Sequence, residues 1–446
     1  MIRTLLLGTA LAASVLVATA RADAIPQGWA ASNMKPVGYS DLGGRTGAFK
    51  LTIKQVAGKW YLIMGHLWTE GWTVLDVTDP ANPKVAKVVQ GPANTVTEQV
   101  SLHDDILVTA LQKPKKDWGH DYRQPSDEGV LFWDVKDPVN WKLLSQWKTG
   151  GRGTHRNSYQ GGKYAFISAA LPGYRNNVLV ILDISDPRNP KEAGRYVVPG
   201  QKEDEPRPNY PVGYHGPATL SADGKMLVTG DAPYFLNLDI SDVHNPKVIG
   251  KLQFSPPFIQ AGAQSEHSIL PIHGGKLVHI NSEASAENCD HDALNFAGLI
   301  DNADPAKPRL LSLYPLPLPP KDAPYASFCD KGGRFGPHNT NQEQHLPDVE
   351  KTGNLMYLTY FNAGLRIYDI KDPRQPQETG WFIPPQPTKR LGPQPLTKLV
   401  NQTEDVLVDT RGVIYITDKQ WGVFVLRYTG PDQPAPTAKG ANQAMR

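Results

Sequence analysis

The chain has 446 residues, of which 40 are glycine and 40 are proline, so turns are frequent and long helices are disfavoured. Hydrophobic residues make up 40% of the chain, which is enough for a sizeable core and argues against intrinsic disorder. The 46 basic and 44 acidic residues give a formal net charge of +2, without the basic excess that nucleic acid or an anionic membrane surface attracts. We therefore expect a small-molecule substrate, with a protein partner as the other option.

Residues 1–24 predict a signal peptide. Arg3 supplies the positive charge, residues 5–20 form an apolar run, and Ala22 and Ala24 fit a small-residue cleavage site. Cleavage follows Ala24 or, alternatively, Ala22. No later run is long and apolar enough to span a bilayer. We therefore expect a periplasmic or secreted protein, and a retained membrane anchor is the alternative.

An apolar strand followed by an Asp/Pro turn recurs along the chain. Its fullest copy is LVILDISDPRNPKEAGRYV at residues 179–197. Residues 422–431, GVFVLRYTGP, are a seventh, degenerate copy that keeps the strand but lacks the turn. Self-similarity at a period of tens of residues indicates a stacked or radial repeat fold. The first aspartates of the six clear turns are Asp76, Asp134, Asp183, Asp239, Asp301 and Asp369.

Each repeat has room for four short strands, which in the third repeat we place at residues 155–159, 163–168, 178–183 and 192–198. Four strands per repeat, seven repeats and Gly/Pro turns predict an all-β, seven-bladed β-propeller. Parallel β-helices need shorter repeats, and helical solenoids need a 3.6-residue period that is absent here.

The N-terminal segment is predicted to close the ring, because a propeller otherwise leaves an exposed sheet edge. The seventh repeat ends after its third strand, near Arg427. Residues 34–42, MKPVGYSDL, resemble an outer strand of the fourth repeat, NPKVIGKLQF at 245–254. We therefore expect one propeller domain over residues 25–430 and a flexible tail over 431–446.

The repeated LDISDPxxP core resembles the LVIVD repeat family of secreted bacterial β-propellers. The resemblance covers six clear units and one weak one, and it implies the propeller fold while saying almost nothing about activity. Within the motif, the aspartates are expected to cap the turns through side-chain to backbone hydrogen bonds.

Histidines recur at one position of the repeat. The first strand of each blade lines the channel, and the second residue of its start is histidine in four consecutive blades and glutamate in two others. Four neutral imidazoles that converge on one axis would suit a borderline transition metal, with iron or copper favoured and manganese or zinc as alternatives. Channel histidines bonded to water and backbone are the other interpretation. The residues are His155, His215, His267 and His338, with Glu98 and Glu404.

Other polar residues are assigned roles around this predicted metal site. Glu98, Glu266 and Glu404 are expected to accept the second ring N–H of the histidines. The candidate catalytic residues are Arg156, Tyr214 and Glu404, of which Arg156 and Tyr214, together with Arg334, would orient an anionic or phenolic substrate. Ordinary packing or solvation is the alternative for each.

The two cysteines, Cys289 and Cys329, are predicted to form one disulfide in an oxidising compartment, and two unpaired buried thiols are the alternative. The bridge would tie down the Gly-rich segment FCDKGGRFGPHN at residues 328–339, which we expect to cover the channel mouth.

No GxSxG nucleophile elbow and no HExxH motif occur, which disfavours a serine hydrolase and a zincin. The leading hypothesis is an exported metal-dependent oxidase or oxygenase that acts on a small organic substrate. The predicted site is similar in kind to the four-histidine iron site of carotenoid-cleaving oxygenases, which are also seven-bladed propellers. The alternatives are a metal-dependent lyase or hydrolase, or a non-catalytic binding propeller.

Overall fold

The structure is a computed structural model that describes residues 23–116, 118–254, 264–289, 295–391 and 398–433. Residues 1–22, and with them nearly all of the predicted signal peptide, lie outside the described residues, as does the predicted tail from residue 434 onward. In the part of the chain that is described, no helix has both the length and the apolarity that a membrane span requires.

Short strands dominate the described residues. Within this part of the chain, helical structure is limited to α1 (Phe328–Lys331) and two 3₁₀ turns, His273–Gly275 and Glu287–Cys289. In chain order the strands are β1 (Ala30–Ser32), β2 (Met34–Ser40), β3 (Ala48–Val56), β4 (Lys59–His66), β5 (Trp72–Asp76), β6 (Lys84–Val89), β7 (Val100–His103), β8 (Ile106–Leu111), β9 (Gly129–Asp134), β10 (Lys142–Trp147), β11 (Gly153–Thr154), β12 (Tyr164–Ala170), β13 (Val178–Asp183), β14 (Lys191–Tyr196), β15 (Gly213–Tyr214), β16 (Thr219–Leu220), β17 (Met226–Ala232), β18 (Tyr234–Asp239), β19 (Lys247–Gln253), β20 (Gln264–Ile272), β21 (Leu277–Glu283), β22 (Ala297–Asp301), β23 (Arg309–Leu313), β24 (Leu355–Thr359), β25 (Leu365–Asp369), β26 (Gln377–Ile383), β27 (Thr403–Val408), β28 (Ile414–Asp418) and β29 (Gly422–Tyr428).

These strands form seven antiparallel sheets, which confirms the predicted seven-bladed propeller. Five blades use consecutive strands: β3–β6, β7–β10, β11–β14, β15–β19 and β20–β23. The sixth sheet contains β24–β26 together with β1, and the seventh contains β27–β29 together with β2.

The N-terminal segment closes the ring as predicted. Strand β2 pairs antiparallel with β29, from Met34 opposite Tyr428 to Ser40 opposite Val423. Strand β1 was not predicted, and it pairs with β26 of the sixth blade. Because β1 and β2 follow each other in the chain, this N-terminal segment joins the sixth and seventh blades. On the channel side of the sixth blade, the first strand is reduced to a bridge between Thr340 and Leu358.

The repeat motif owes its continuous apolar run to burial on both faces of the strand. In β13, Val178, Val180 and Leu182 pack into a cluster with the preceding blade, whereas Leu179 and Ile181 pack into a cluster with the following one. Because successive side chains of a strand point to opposite faces, each blade is held between its two neighbours.

The aspartates of the motif cap the turns, as predicted. Asp183 Oδ1 accepts a hydrogen bond from the Ser185 N–H at 2.9 Å, and Asp186 Oδ1 accepts one from the Arg188 N–H at 3.0 Å. The same pair of bonds recurs in the other five clear turns. These Asx turns set the direction of the chain between the third and fourth strands.

The glycine of the motif is required by the contact between blades. Gly194 follows a bulge in outer strand β14, and a Cβ at this position would collide with the carbonyl oxygen of Val243 in the turn of the next blade. Gly250 lies in the same way against the carbonyl of Pro305. In the second blade the equivalent Ser145 instead donates its hydroxyl to Pro187 O at 2.6 Å.

We expect Glu350, a partly buried carboxylate outside the channel site, to make stability depend on pH. Burial raises the pKa of Glu350 from 4.5 to about 7, although the Tyr357 hydroxyl, which donates to the carboxylate at 3.3 Å, lowers it. Between these values the folded chain binds more protons than the unfolded chain, so stability falls as pH rises. E350Q removes this penalty and should stabilise the protein by about 2 kcal/mol more at pH 8 than at pH 5. Urea unfolding at the two pH values measures the difference, and an equal effect at both would contradict it.

Candidate functional site

Four histidines lie side by side at the end of the channel where the first strands begin. The ring centroids of His155 and His215 are 4.8 Å apart, those of His215 and His267 are 4.4 Å apart, and those of His267 and His338 are 4.6 Å apart. The structure thus brings together all four histidines of the repeated position, and we call them the histidine row.

Each imidazole of the row has an acceptor beside its Nδ1 atom. Because a carbonyl oxygen can only accept, these contacts place the proton on Nδ1 and leave the Nε2 lone pair available. Burial lowers the pKa of His215, His267 and His338 well below the ordinary value, so these rings are neutral. The Nδ1 acceptors are Gln112 Oε1 for His155 at 3.0 Å, Gly216 O for His215 at 3.2 Å, His338 O for His267 at 3.2 Å and Glu404 O for His338 at 2.7 Å.

Glu283, which the sequence analysis missed, contributes a carboxylate to the row. Its Oε2 lies 3.6 Å from His267 Nε2 and its Oε1 lies 3.9 Å from His338 Nε2. One ligand atom from each of His215, His267 and Glu283 lies within 4.8 Å of the others, a spacing that could hold a metal ion. Burial acts to raise the pKa of Glu283, but the charge and the hydrogen bond of Arg334 outweigh it, so the pKa lies below the usual range and the group is ionised.

Glu98 and Glu404, two of the three predicted carboxylate partners, lie at the ends of the row. Glu98 Oε1 is 3.1 Å from His155 Nδ1, and Glu404 Oε2 is 3.3 Å from His338 Nδ1. Burial raises the pKa of Glu404 to about 7, although Lys419, whose Nζ is 2.7 Å from Oε1, acts to lower it. Glu404 is therefore able to hold or release a proton near neutral pH.

The structure places Glu266 elsewhere, beside Asp231 of β17. Burial raises the pKa of Asp231, and the charge of Glu266 raises it further. Glu266 directly precedes His267, and neighbouring residues of a strand point to opposite faces. The position of Glu266 in the sequence therefore directs its carboxyl away from the histidine row.

The Tyr214 ring is buried in the core between the third and fourth blades, where its hydroxyl accepts a hydrogen bond from Thr229 Oγ1 at 3.3 Å. Tyr214 also lines the cavity that the histidine row borders, so the substrate contact expected from its place beside His215 stays a prediction.

Arg156, the other predicted substrate-binding residue, lies behind the row and is only 2% exposed. Its Nη1 donates to His267 O at 2.6 Å, and its Nη2 donates to Asn339 Oδ1 at 2.5 Å. Nη2 also lies 3.2 Å from His267 Nε2. Arg156 thus positions His267, and it does not line the cavity that borders the histidine row.

The histidine row and Glu283 line a cavity of about 830 Å³, a size typical of small-molecule sites. Part of the wall is apolar and aromatic, from Phe49, Trp68 and Trp118. The cationic side chains in the lining are Lys115, Lys116, Arg152, Arg334, Lys398 and Lys419.

The predicted disulfide is present. The Cα atoms of Cys289 and Cys329 are 5.4 Å apart, and the bridge links the 3₁₀ turn after β21 to helix α1. The segment after α1 carries Arg334, which lines the cavity and donates to Glu283 and to Ala284 O. The bridge therefore anchors a loop that forms part of the cavity wall.

The chain carries the LVIVD repeat, whose family model matches residues 161–198, and the resemblance inferred from the motif is confirmed. A comparison with curated proteins gives no match.

Among solved structures, a periplasmic gluconolactonase of Pseudomonas aeruginosa is similar at a TM-score of 0.52 and 12% identity, over 83% of this chain and 98% of that one. A hypothetical selenium-binding protein from Sulfolobus tokodaii is similar at a TM-score of 0.53 and 12% identity, over 84% of this chain and 83% of that one. At this identity the likeness concerns the fold alone.

Proposed function

We propose that the protein is an exported metal-dependent enzyme that binds a transition ion at the histidine row and oxidises a small organic substrate in the adjoining cavity. The observation that carries the proposal is that four neighbouring imidazoles all have an acceptor at Nδ1, and that ligand atoms of His215, His267 and Glu283 lie within 4.8 Å of one another. Such outer contacts are typical of metal-binding histidines, because they fix the tautomer and raise the basicity of the ligand.

The donor set favours iron or copper, with manganese or zinc as alternatives. Imidazole suits borderline ions, and the ionised carboxylate of Glu283 supplies negative charge to offset a cation. No described residue donates a hydrogen bond to Nε2 of His155, His215 or His338. At His267 the ion would displace the Arg156 contact, and at Glu283 it would compete with Arg334.

The chain's own residues would bind the substrate and move protons. A bound iron or copper ion would supply the one-electron chemistry that oxidation needs, which the side chains alone lack. Glu404, whose pKa is about 7, could take up or release a proton near neutral pH, but it is buried behind His338 and does not line the cavity, so it would act through His338. Lys419 lines the cavity and would hold the ionised form of Glu404 in place.

A metal-dependent hydrolase or lyase is the second candidate, because a Lewis-acidic ion held by His215, His267 and Glu283 would border a cavity large enough for a small substrate. The gluconolactonase among the similar propellers makes lactones the first hydrolase substrates to try.

Export is supported by the leader-like sequence of residues 1–24 and by the disulfide, since disulfides persist in oxidising compartments. A periplasmic or secreted location therefore belongs to the proposal.

Metal analysis of the purified protein tests the site. We expect near-stoichiometric iron or copper in the natural chain and its loss in a variant with all four histidines of the row changed to alanine. The matched control is H244A, because His244 is exposed in a turn far from the row. Circular dichroism must show that both variants fold.

The metal and the reaction separate the candidates. Iron or copper with substrate-dependent consumption of dioxygen supports the oxidase, whereas zinc or manganese with turnover of lactones or esters supports the hydrolase. A folded natural protein that takes up none of the four metals after reconstitution would overturn the enzyme proposal and leave a binding propeller.

A further inference from the structure

The cavity beside the histidine row carries cations that form no ion pair with any residue that the structure describes. Among its six cationic side chains, Arg334 pairs with Glu283 and Lys419 pairs with Glu404. The other four form no ion pair within the described residues: Lys115, Lys116, Arg152 and Lys398. The lining also contains four carboxylates, Glu98, Glu203, Glu283 and Glu287, so its six cationic side chains leave the cavity wall with an excess of positive charge.

Two of these cations act on the same region of the cavity. Desolvation lowers the pKa of Lys115, and the like charge of Arg152 lowers it further. The opposite charge of Glu98 raises this pKa. The charge of Glu283 also raises the pKa of Lys115, so Lys115 interacts electrostatically with both Glu98 and Glu283. Lys115 and Arg152 both line the cavity, so an anion that contacts both would relieve the repulsion of the two like charges.

The wall next to these cations is aromatic. Phe49, Leu67, Trp68 and Val96 form a separate apolar cluster against which Trp118 packs. Lys115 Nζ lies 4.7 Å from the centroid of the Trp118 ring, so cation and aromatic surface are contiguous. A planar apolar body could stack here while an attached anionic group reaches the cations.

We infer that the substrate of this cavity is a small aromatic carboxylate, held by its carboxylate at Lys115 and Arg152 and by its ring against Trp68 and Trp118. The inference rests on the proposed function for the chemistry that follows binding, but the binding itself involves only residues of this chain. The cations, the aromatic wall and the histidine row border one cavity, so the substrate would bind in the cavity that the row lines.

Calorimetric titration with benzoate, benzyl alcohol and gluconate at fixed ionic strength tests the inference, with the protein both as purified and after chelator treatment. We expect benzoate to bind about tenfold more tightly than its neutral analogue benzyl alcohol and than the non-aromatic acid gluconate. The K115M/R152M variant should lose about tenfold in benzoate affinity and keep its affinity for benzyl alcohol. R188M/K191M, which removes two exposed cations of a blade turn, should bind like the natural protein.

Equal affinities for benzoate and benzyl alcohol, tighter binding of gluconate, or an unaltered K115M/R152M variant would each overturn the inference. Because the chelator-treated protein is measured as well, these outcomes do not depend on how much metal the protein holds. Benzoate binding by a protein that takes up no metal would support this inference while the proposed function fails.

Discussion

A chain that begins at Gly43, and so lacks β1 and β2, should fail to fold as a stable propeller. The deletion removes the pairing of β2 with β29 and exposes the edge of the last blade. It also removes the buried hydrophobic side chains of Met34, Tyr39 and Leu42, whose burial contributes about 5–8 kcal/mol in total. This loss is comparable to the whole stability of an ordinary domain. Circular dichroism and thermal unfolding of the truncated protein measure it.

The opposite truncation and two point variants serve as controls. Ending the chain after Pro431 should leave the unfolding temperature unchanged, because the seventh blade is complete at Tyr428. Y39A should cost about 3–5 kcal/mol, since the Tyr39 ring packs 5.0 Å from the Phe424 ring and its hydroxyl donates to Trp421 O at 2.6 Å. K35A, at an exposed position of the same strand, should have little effect. A stable chain that begins at Gly43 would show that β2 does not hold the ring closed.

The second large effect is expected at Arg156, the buried guanidinium behind the histidine row. It reaches from the third blade to the backbone of His267 in the fifth blade and to Asn339 in the sixth. R156M fills a similar volume but leaves His267 O and Asn339 Oδ1 without this donor. Unpaired buried acceptors and the loss of a cation near Asp405 should cost about 3–5 kcal/mol in the free energy of unfolding.

R156K separates the charge of this residue from its geometry. A lysine keeps the positive charge, but its ammonium cannot reproduce the planar fork that contacts two blades at once. We expect about half the destabilisation of R156M, and no measurable change for R188M, whose side chain is exposed. Urea unfolding of the three variants gives the order. If R156M and R188M were equally stable, the hydrogen bonds of Arg156 would not join the blades.

Two kinds of residue were assigned to the channel site from the sequence: residues at the repeated position, and residues that adjoin a histidine. Glu98 and Glu404 occupy the same position of the repeat as the histidines, and the structure places them beside His155 and His338. Glu266 was assigned to the site because it adjoins His267 in sequence. In a strand that proximity works against it, since adjacent side chains face opposite sides. Tyr214 adjoins His215 and lines the cavity, while its ring packs in the core between two blades.

Glu283 was not predicted from the sequence, for a different reason. It ends the second strand of its blade, and in an antiparallel pair the end of the second strand lies level with the start of the first. A search restricted to first strands therefore misses it. Glu283 could have been found by aligning the last residue of each second strand with the histidine at the start of the first strand.

The sequence alone determined the number of blades, the capped turns, the closing strand β2, the disulfide and the repeated position of the histidines. These features follow from local chemistry that recurs in every unit, such as the two-residue period of a strand and the Asx turn. Tertiary structure alone decided the pairing of β1, the reduced first strand of the sixth blade, the position of Glu283 and the burial of Arg156. Each of these depends on how one blade meets another, and the contacts between blades join residues far apart in the chain, which no local pattern specifies.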